Sequence, residues 1–502
     1  MLAARTAGAP RDGDPLHIAP HPARYPFRYP LLVTAYALAL AGLAGCALTP
    51  SGTKPEQARL AEAGKPYEPK IEARELPELT DSPTWQDVLH RAFLANGDLE
   101  VAYFDWKAAV QRIEMASAYP NSNVSIGYSY MFSSERMKSF DRQTFSAGFD
   151  SSVNLSFPTK VMKKGEIALD EARATGERFR SAKFDLQRRV LVAWVDYVLL
   201  AERLRIQREQ VALTRMSADA VSARAQAGGA QRDLLKTDVS LRTAEDSIKS
   251  MEAELSASRA MLNGVLTREP NLALEPPRVL PSPRPMPVSD DVVLAAAVDQ
   301  NPELAGLAHQ VQGRADALEL ARMQWIPDIS PTAMFTGGVS QAVGAAFMLP
   351  TNIVEIRGGI REAEAMLRGS EAMLRQTKRD RAASLVATLV TLRNSERQAE
   401  LFNTSIVPLT ERLLANTRQA YASGSAMYGD LLEAQRTLLD AKLVVAQARA
   451  MREKQLAELE ALMGTDIETL STAQHSAPAT AESAVATTEP MVTSHQESRH
   501  DR

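Results

Sequence analysis

The residues able to do chemistry in this 502-residue chain are few and far apart. The single cysteine, Cys46, excludes a disulfide framework, a CxxC redox pair and a multi-cysteine zinc site. It leaves one thiol that an acyl group could modify. The seven histidines are scattered, with no HExxH, and His475, His495 and His500 fall in a Ser/Thr/Ala/Glu-rich terminus. There is no P-loop and no nucleophile placed beside a base. Asp430 and Glu433 sit at helical i,i+3 spacing and share a face, which by itself describes an ordinary solvated pair. These residues imply no enzymatic activity, cofactor or metal. The net charge of -4 lacks the basic footprint of a nucleic-acid partner.

Cys46 acquires meaning from what precedes it. Arg24 and Arg28 lead into the apolar run Leu31–Leu40, which continues to Leu43-Ala44-Gly45-Cys46. That is the layout of a secretory signal over residues 1–45, with small residues at the cut. Leu-Ala-Gly-Cys resembles the bacterial lipobox, whose cysteine is diacylated and becomes the new N-terminus, often carrying palmitate. Two or three acyl chains, at roughly 0.8 kcal/mol per buried CH₂, give a stable anchor. Ala47 resembles the residue found in lipoproteins sent to the outer membrane. The long n-region leaves the translation start open. Past Cys46, no run approaches the roughly 18 apolar residues of a membrane-spanning helix.

Prolines then punctuate the chain. Six of them between Pro50 and Pro83 predict an extended, lipidated linker over 46–83. A second cluster from Pro270 to Pro287 marks a linker over 269–289, and residues 469–502 read as a disordered tail. The two segments between them, 84–268 and 290–468, repeat each other. Each runs helix, two strands, long helix, turn, helix. Asn96-Gly97-Asp98-Leu99 and Asn301-Pro302-Glu303-Leu304 open the first helices. Gly228-Gly229 and Gly424 break the long ones. Asp233-Leu234-Leu235 and Asp430-Leu431-Leu432 open the last.

The strands and helices set the scene for any site. Val124, Ile126, Tyr128, Tyr130 and Phe132 alternate with small or polar residues, as do Phe145 to Phe157. Period-two alternation gives one apolar and one polar face. Strands of about 9–11 residues of this kind fit an outer-membrane barrel, and a half-buried soluble hairpin is the plainer alternative. A second pair near 329–335 and 342–349 is shorter. From Lys160 to about Ala227 no proline intervenes, and from Ile353 to Ser423 only Pro408 does. At ~1.5 Å per residue each stretch reaches on the order of 100 Å. Seams such as Leu186, Val190, Ala193, Tyr197, Leu200 and Leu204 are those of coiled coils, paired antiparallel across the glycine turns.

With these elements in place, residues 83 to 468 resemble the TolC family of outer-membrane efflux proteins. The resemblance is sharpest over Tyr421-Ala422-Ser423-Gly424-Ser425-Ala426-Met427-Tyr428-Gly429-Asp430-Leu431-Leu432-Glu433-Ala434-Gln435. It implies a mainly α fold with a transmembrane β part. Long antiparallel coiled-coil helices form a periplasmic α-barrel, and four strands per chain contribute to a trimeric twelve-stranded outer-membrane β-barrel. It implies a passive channel of a tripartite efflux system, with a homotrimer, a periplasmic adaptor protein and an inner-membrane transporter, RND type being one candidate, as partners. The tips at Gly228, Gly229, Gly424 and Ser425 then match adaptor-docking turns. Asp430, Glu433 and Tyr421 match a periplasmic gate, although the family's basic partner is Ala426 here. A periplasmic adaptor lipoprotein with a coiled-coil hairpin is the competing reading, and the doubled hairpins and amphipathic strands speak against it. If Cys46 is the acylated residue, radiolabelled fatty acid incorporated by the wild type is lost in Cys46→Ser.

Overall fold

A computed structural model describes residues 48–80, 83–119, 123–130, 132, 143–150, 156–226, 231–277, 282–286, 289–336 and 340–469. Cys46, Gly228 and Gly229 lie outside the described residues, as does nearly all of the tail. The first repeat runs α2 (Trp85–Ala95), α3 (Gly97–Ser117), β1 (Asn123–Tyr130), β2 (Gln143–Asp150), α4 (Pro158–Gln226) and α5 (Gln231–Val265). The second runs α6 (Asp290–Gln300), α7 (Pro302–Arg322), β3 (Asp328–Thr336), β4 (Ser340–Met348), α8 (Ile353–Leu401), a π-helical segment (Phe402–Ile406), α9 (Val407–Ser423) and α10 (Tyr428–Met463). Helix α1 (Thr53–Gly64) precedes both.

Where the proline spacing of 46–83 predicts an extended linker, the structure forms a helix, and the reason is local. Only Pro55 falls inside α1, in the first turn, where a missing N–H costs nothing. The following Glu-Gln-Ala-Arg-Leu-Ala-Glu-Ala favours helix. Helix α1 docks on α3 and α4 through a buried charge. Trp106 Nε1 donates to Glu56 Oε1 at 2.8 Å, and both residues are buried. The Arg59 guanidinium stacks 5.2 Å from the Trp106 ring centre and pairs with Glu177 at 2.7 Å. A Cβ at Gly176 would come within 2.8 Å of the same indole, so the close approach of α4 to Trp106 requires glycine there. Ahead of α1, the Leu48 N–H donates to Ser117 O at 2.9 Å. The segment thus begins beside the strand-side end of α3.

The strands pair in the order β1-β2-β3-β4, all antiparallel. Directly opposed residues share a face, so the register is informative. Val124 faces Phe149, Ile126 faces Ala147 and Tyr128 faces Phe145. Ala147 faces Phe335 and Phe149 faces Ala333. Ala333 faces Val343 and Ile329 faces Phe347. One face of the sheet is therefore apolar across all four strands. Its reverse carries Ser125, Gly127, Ser129, Thr144, Ser146, Gly148, Ser330, Thr332 and Gly344. The described strands are 8 residues long in the first pair and 9 in the second, the second pair being longer than the 329–335 and 342–349 expected; Val153 and Asn154 lie outside the described residues.

Helix α4 is unbroken over 69 residues. Its counterpart is interrupted, starting six residues before Pro408 and not at the proline itself. Pro408 supplies no N–H and its ring crowds the carbonyl of Thr404. The preceding turn widens to relieve this, so that the Val407 N–H reaches Phe402 O, five residues back.

At the waist the repeats are locked together. Asn301 caps α7 and its Nδ2 donates to Leu462 O at 2.6 Å, while Arg180 donates to Gly464 O at 2.8 Å. Arg284, from the second proline cluster, bonds Glu453 at 3.1 Å and Glu460 at 3.0 Å on α10. Burial pushes the Glu460 carboxyl above the usual carboxylate range even with Arg284 beside it. Burial works against the charge of Arg284 too, but Glu460 and Glu453 together raise it.

Replacing Trp106 by Phe keeps the ring and removes the N–H from a buried carboxylate. It is expected to cost about 2 kcal/mol at the α1 contact. Limited trypsin digestion should then cleave within 54–65 faster than in the wild type, with the rest of the fragment pattern unchanged.

Candidate functional site

Two ends of the molecule carry functional geometry. At the strand end, large apolar side chains are exposed where helices meet strands: Phe157, Met162, Trp325, Ile326, Phe347, Met348, Leu349, Ile353 and Val354. Val354 is 82% exposed and Leu349 72%, which water does not favour. The junction beneath is held by Lys160, buried, whose Nζ donates to Ile326 O at 2.7 Å and to Asp328 at 2.8 Å. Aromatic and aliphatic residues bordering an apolar sheet face are the arrangement of a membrane interface.

At the opposite end, α9 and α10 meet in a tight turn. Gly424 has φ 83°, the left-handed region, and closes α9. The Ser425 N–H donates to Ala420 O at 2.9 Å and the Gly424 N–H to Tyr421 O at 3.1 Å. This is the Schellman pattern, which needs glycine at the left-handed position. Ser425 Oγ donates to Ala420 O at 3.1 Å, tightening the same turn. The Asp430 carboxylate, in the first turn of α10, accepts the Met427 N–H at 2.9 Å, and its charge suits a helix N-terminus. Behind the turn, Tyr421 and Tyr428 are buried with ring centres 6.1 Å apart. They join Leu414, Leu431, Ala434 and Leu438, and Val221 of α4, in a small core. Burial raises the Tyr428 phenol above its ordinary value.

The structure thus brings Tyr421, Gly424, Ser425 and Asp430 into one turn. Glu433 is exposed on α10, one turn further on. Each of the four has a local role as well: turn glycine, turn hydroxyl, helix cap and core aromatic. The turn glycines Gly228 and Gly229 fall outside the described residues. Sequence reasoning missed Tyr428 and Gln435, although both lie on the seam of α10, three residues before and four after Leu431.

The profile of the outer membrane efflux protein family matches residues 88–267 and 293–465. A fusaric acid resistance protein, FusA, of Burkholderia cepacia is 28% identical over 196 residues, which are 37% of this chain and 35% of that protein. The match thus spans about a third of that relative's length. Among solved structures, CusC superposes with a TM-score of 0.64 at 17% identity, over 76% of this chain and 92% of CusC. The open state of the MtrE outer membrane channel of Neisseria gonorrhoeae gives 0.65 at 16% identity, over 76% and 89%. These likenesses show the fold. The two stretches matched by the family profile take in most of both repeats, strand pairs and tip included, and on that ground the chain belongs to the outer membrane efflux protein family.

Proposed function

We propose that this chain is the outer-membrane conduit of a tripartite efflux assembly, closed by three copies and conducting solutes passively. The observation that carries the reading is the four-stranded sheet, apolar on one face and mostly small or polar on the other, where Met334 and Met348 also lie, continued by helices of about 100 Å. Four strands cannot close a barrel, and eight from two copies would enclose only side chains. Twelve from three copies leave a wet lumen lined by the serine, threonine and glycine face. The competing adaptor has one coiled-coil hairpin between soluble β-domains, whereas the described residues of this chain form two hairpins and one four-stranded sheet.

In this reading acylated Cys46 anchors the chain. The Leu48 N–H donating to Ser117 O supports it, because it holds a residue two positions after Cys46 at the strand-side end of α3. The turns at Gly228, Gly229, Gly424 and Ser425 dock a periplasmic adaptor, and an inner-membrane transporter, RND type among the candidates, supplies the energy. Threefold symmetry gathers Asp430 and Glu433 into a ring of carboxylates, with Tyr421 packed behind, and such a ring favours cations. The partial likeness to a fusaric acid resistance protein makes small organic acids the first solutes to set against them in transport assays.

Two measurements test this. Asp430→Asn with Glu433→Gln keeps an acceptor for the Met427 N–H and removes the charge. In planar bilayers the cation preference of folded trimers should fall, and unchanged selectivity takes both residues out of the gate. Ala147 and Ser146 are neighbours on opposite faces of β2. Ala147→Arg should lower trimer yield, at roughly 2–4 kcal/mol for a midplane charge in lipid, while Ser146→Arg is tolerated. Equal yields would overturn the assignment of the two faces.

A further inference from the structure

Helix α8 carries a row of arginines along one side. Arg357, Arg361, Arg368, Arg375 and Arg379 follow one another at steps of four, seven, seven and four. At about 100° per residue this keeps all five within a sector of about 40°. All five are exposed. Arg368 pairs with Glu364, one turn back, at 2.7 Å. The other four form no ion pair among the described residues. Glu364, Glu371 and Lys378 stand on the same side, which keeps a net positive charge along its length.

Arg393 shows which way this side faces. It lies eighteen residues after Arg375 on one continuous helix, about five full turns, and donates to Asp290 of α6 at 2.6 Å. Helix α6 joins Val293, Ala296 and Ala297 to Leu385, Leu389 and Leu392 of α8 in one core, as a second layer on the wall. Around a closed tunnel such a layer fits only on the outside, so the arginines face outward; that step rests on the conduit reading. Their level is set by Val354 of the exposed apolar junction. Arg357 lies about 5 Å from it along the axis and Arg361 about 10 Å, whereas Arg368, Arg375 and Arg379 lie about 21, 32 and 38 Å away. The headgroup layer of a bilayer is only about 5–8 Å deep, and exposed charges are screened within about 8 Å at physiological salt. Lipid therefore accounts for the first two positions and leaves the last three without a partner.

A single exposed ion pair is worth little in water, so a row of free guanidiniums gains most from an anion that repeats. The guanidinium fork matches a carboxylate with two parallel hydrogen bonds. Arg368 and Arg375 are about 10 Å apart, beyond the span of one small anion. A row parallel to the helix axis suits a layer that the rod pierces, because such a layer meets the rod along its length. We propose that Arg368, Arg375 and Arg379 form an outer contact strip for a cross-linked glycan polymer with carboxylate-bearing peptide stems, the chemistry of peptidoglycan. Three copies present three strips around the rod, and their weak contacts add up.

The test is co-sedimentation of full-length, detergent-extracted trimers with purified, protein-free peptidoglycan sacculi, run beside planar-bilayer conductance. The wild type should sediment, and carbodiimide amidation of the sacculus carboxylates should release it. Arg368→Gln with Arg375→Gln and Arg379→Gln should cut the bound fraction about tenfold at unchanged trimer yield and conductance. Arg357→Gln with Arg361→Gln should leave most of the binding in place. Wild-type trimers that stay in the supernatant, a triple variant that sediments like the wild type, or amidated sacculi that bind as well as native ones overturn the proposal. A triple variant that no longer trimerises assigns the arginines to contacts between copies. One that loses only its retention on phosphatidylglycerol vesicles assigns them to lipid, and either result overturns the proposal as well. Arginine-dependent sedimentation of a protein that neither trimerises nor conducts upholds the strip and overturns the conduit.

Discussion

The backbone groups on the outer edges of β1 and β4 set the terms for everything else in this molecule. Among the described residues each of these strands has one paired neighbour, and the sheet they bound carries a continuous apolar face. In water such a sheet invites uncontrolled edge-to-edge pairing, and in hydrocarbon each unpaired N–H or C=O costs several kcal/mol. Closure with identical sheets satisfies both constraints at once. Once the edges are joined around a symmetry axis, the helices that continue from every strand must also stand side by side. The exposed apolar residues at the junctions, from Phe157 to Val354, then have a reason to face outward.

Much of this was legible in the sequence because it is periodic. Alternation in Val124–Phe132 and Phe145–Phe149 specified the strand faces, and the register puts apolar opposite apolar as that alternation requires. The order of elements from α3 and from α7 onward was legible from glycines and prolines, whereas the short helices α2 and α6 that open the repeats were not. Three further features were not. Helix α1 was hidden because a proline in the first turn of a helix looks the same, in a count of prolines, as one in a linker. The π segment was hidden because its cause, Pro408, acts upstream on the turn before it. Gln435 was hidden because a polar residue on a seam declares its burial only when its partner, Ser217, is brought to it from 218 positions away.

The two repeats share an order of elements and differ in mechanics. The first has an unbroken 69-residue helix and an extra layer, α1, fastened through Glu56, Arg59 and Trp106. The second has a divided helix and a thin core at its tip. At the waist, Arg284, Arg452, Glu453 and Glu460 tie the crossover segment and α10 into one network, with Arg452 also reaching Glu396 of α8 at 2.9 Å. Buried pairs of this kind add little net stability and are costly to break singly. They fix the crossover segment against the second repeat at this level.

In the function proposed above, the helix cap and the gate are the same residue. Asp430 accepts the Met427 N–H where α10 begins, which holds its carboxylate at the turn. A gate of charged side chains on long, free stems would adapt to whatever passed and discriminate poorly. Capping removes that freedom, so the position of the charge is set by the helix and moves only when the helix moves. Glu433 is exposed one turn on and adds charge with more reach. In the proposed gate, the position of the charge therefore follows the position of α10.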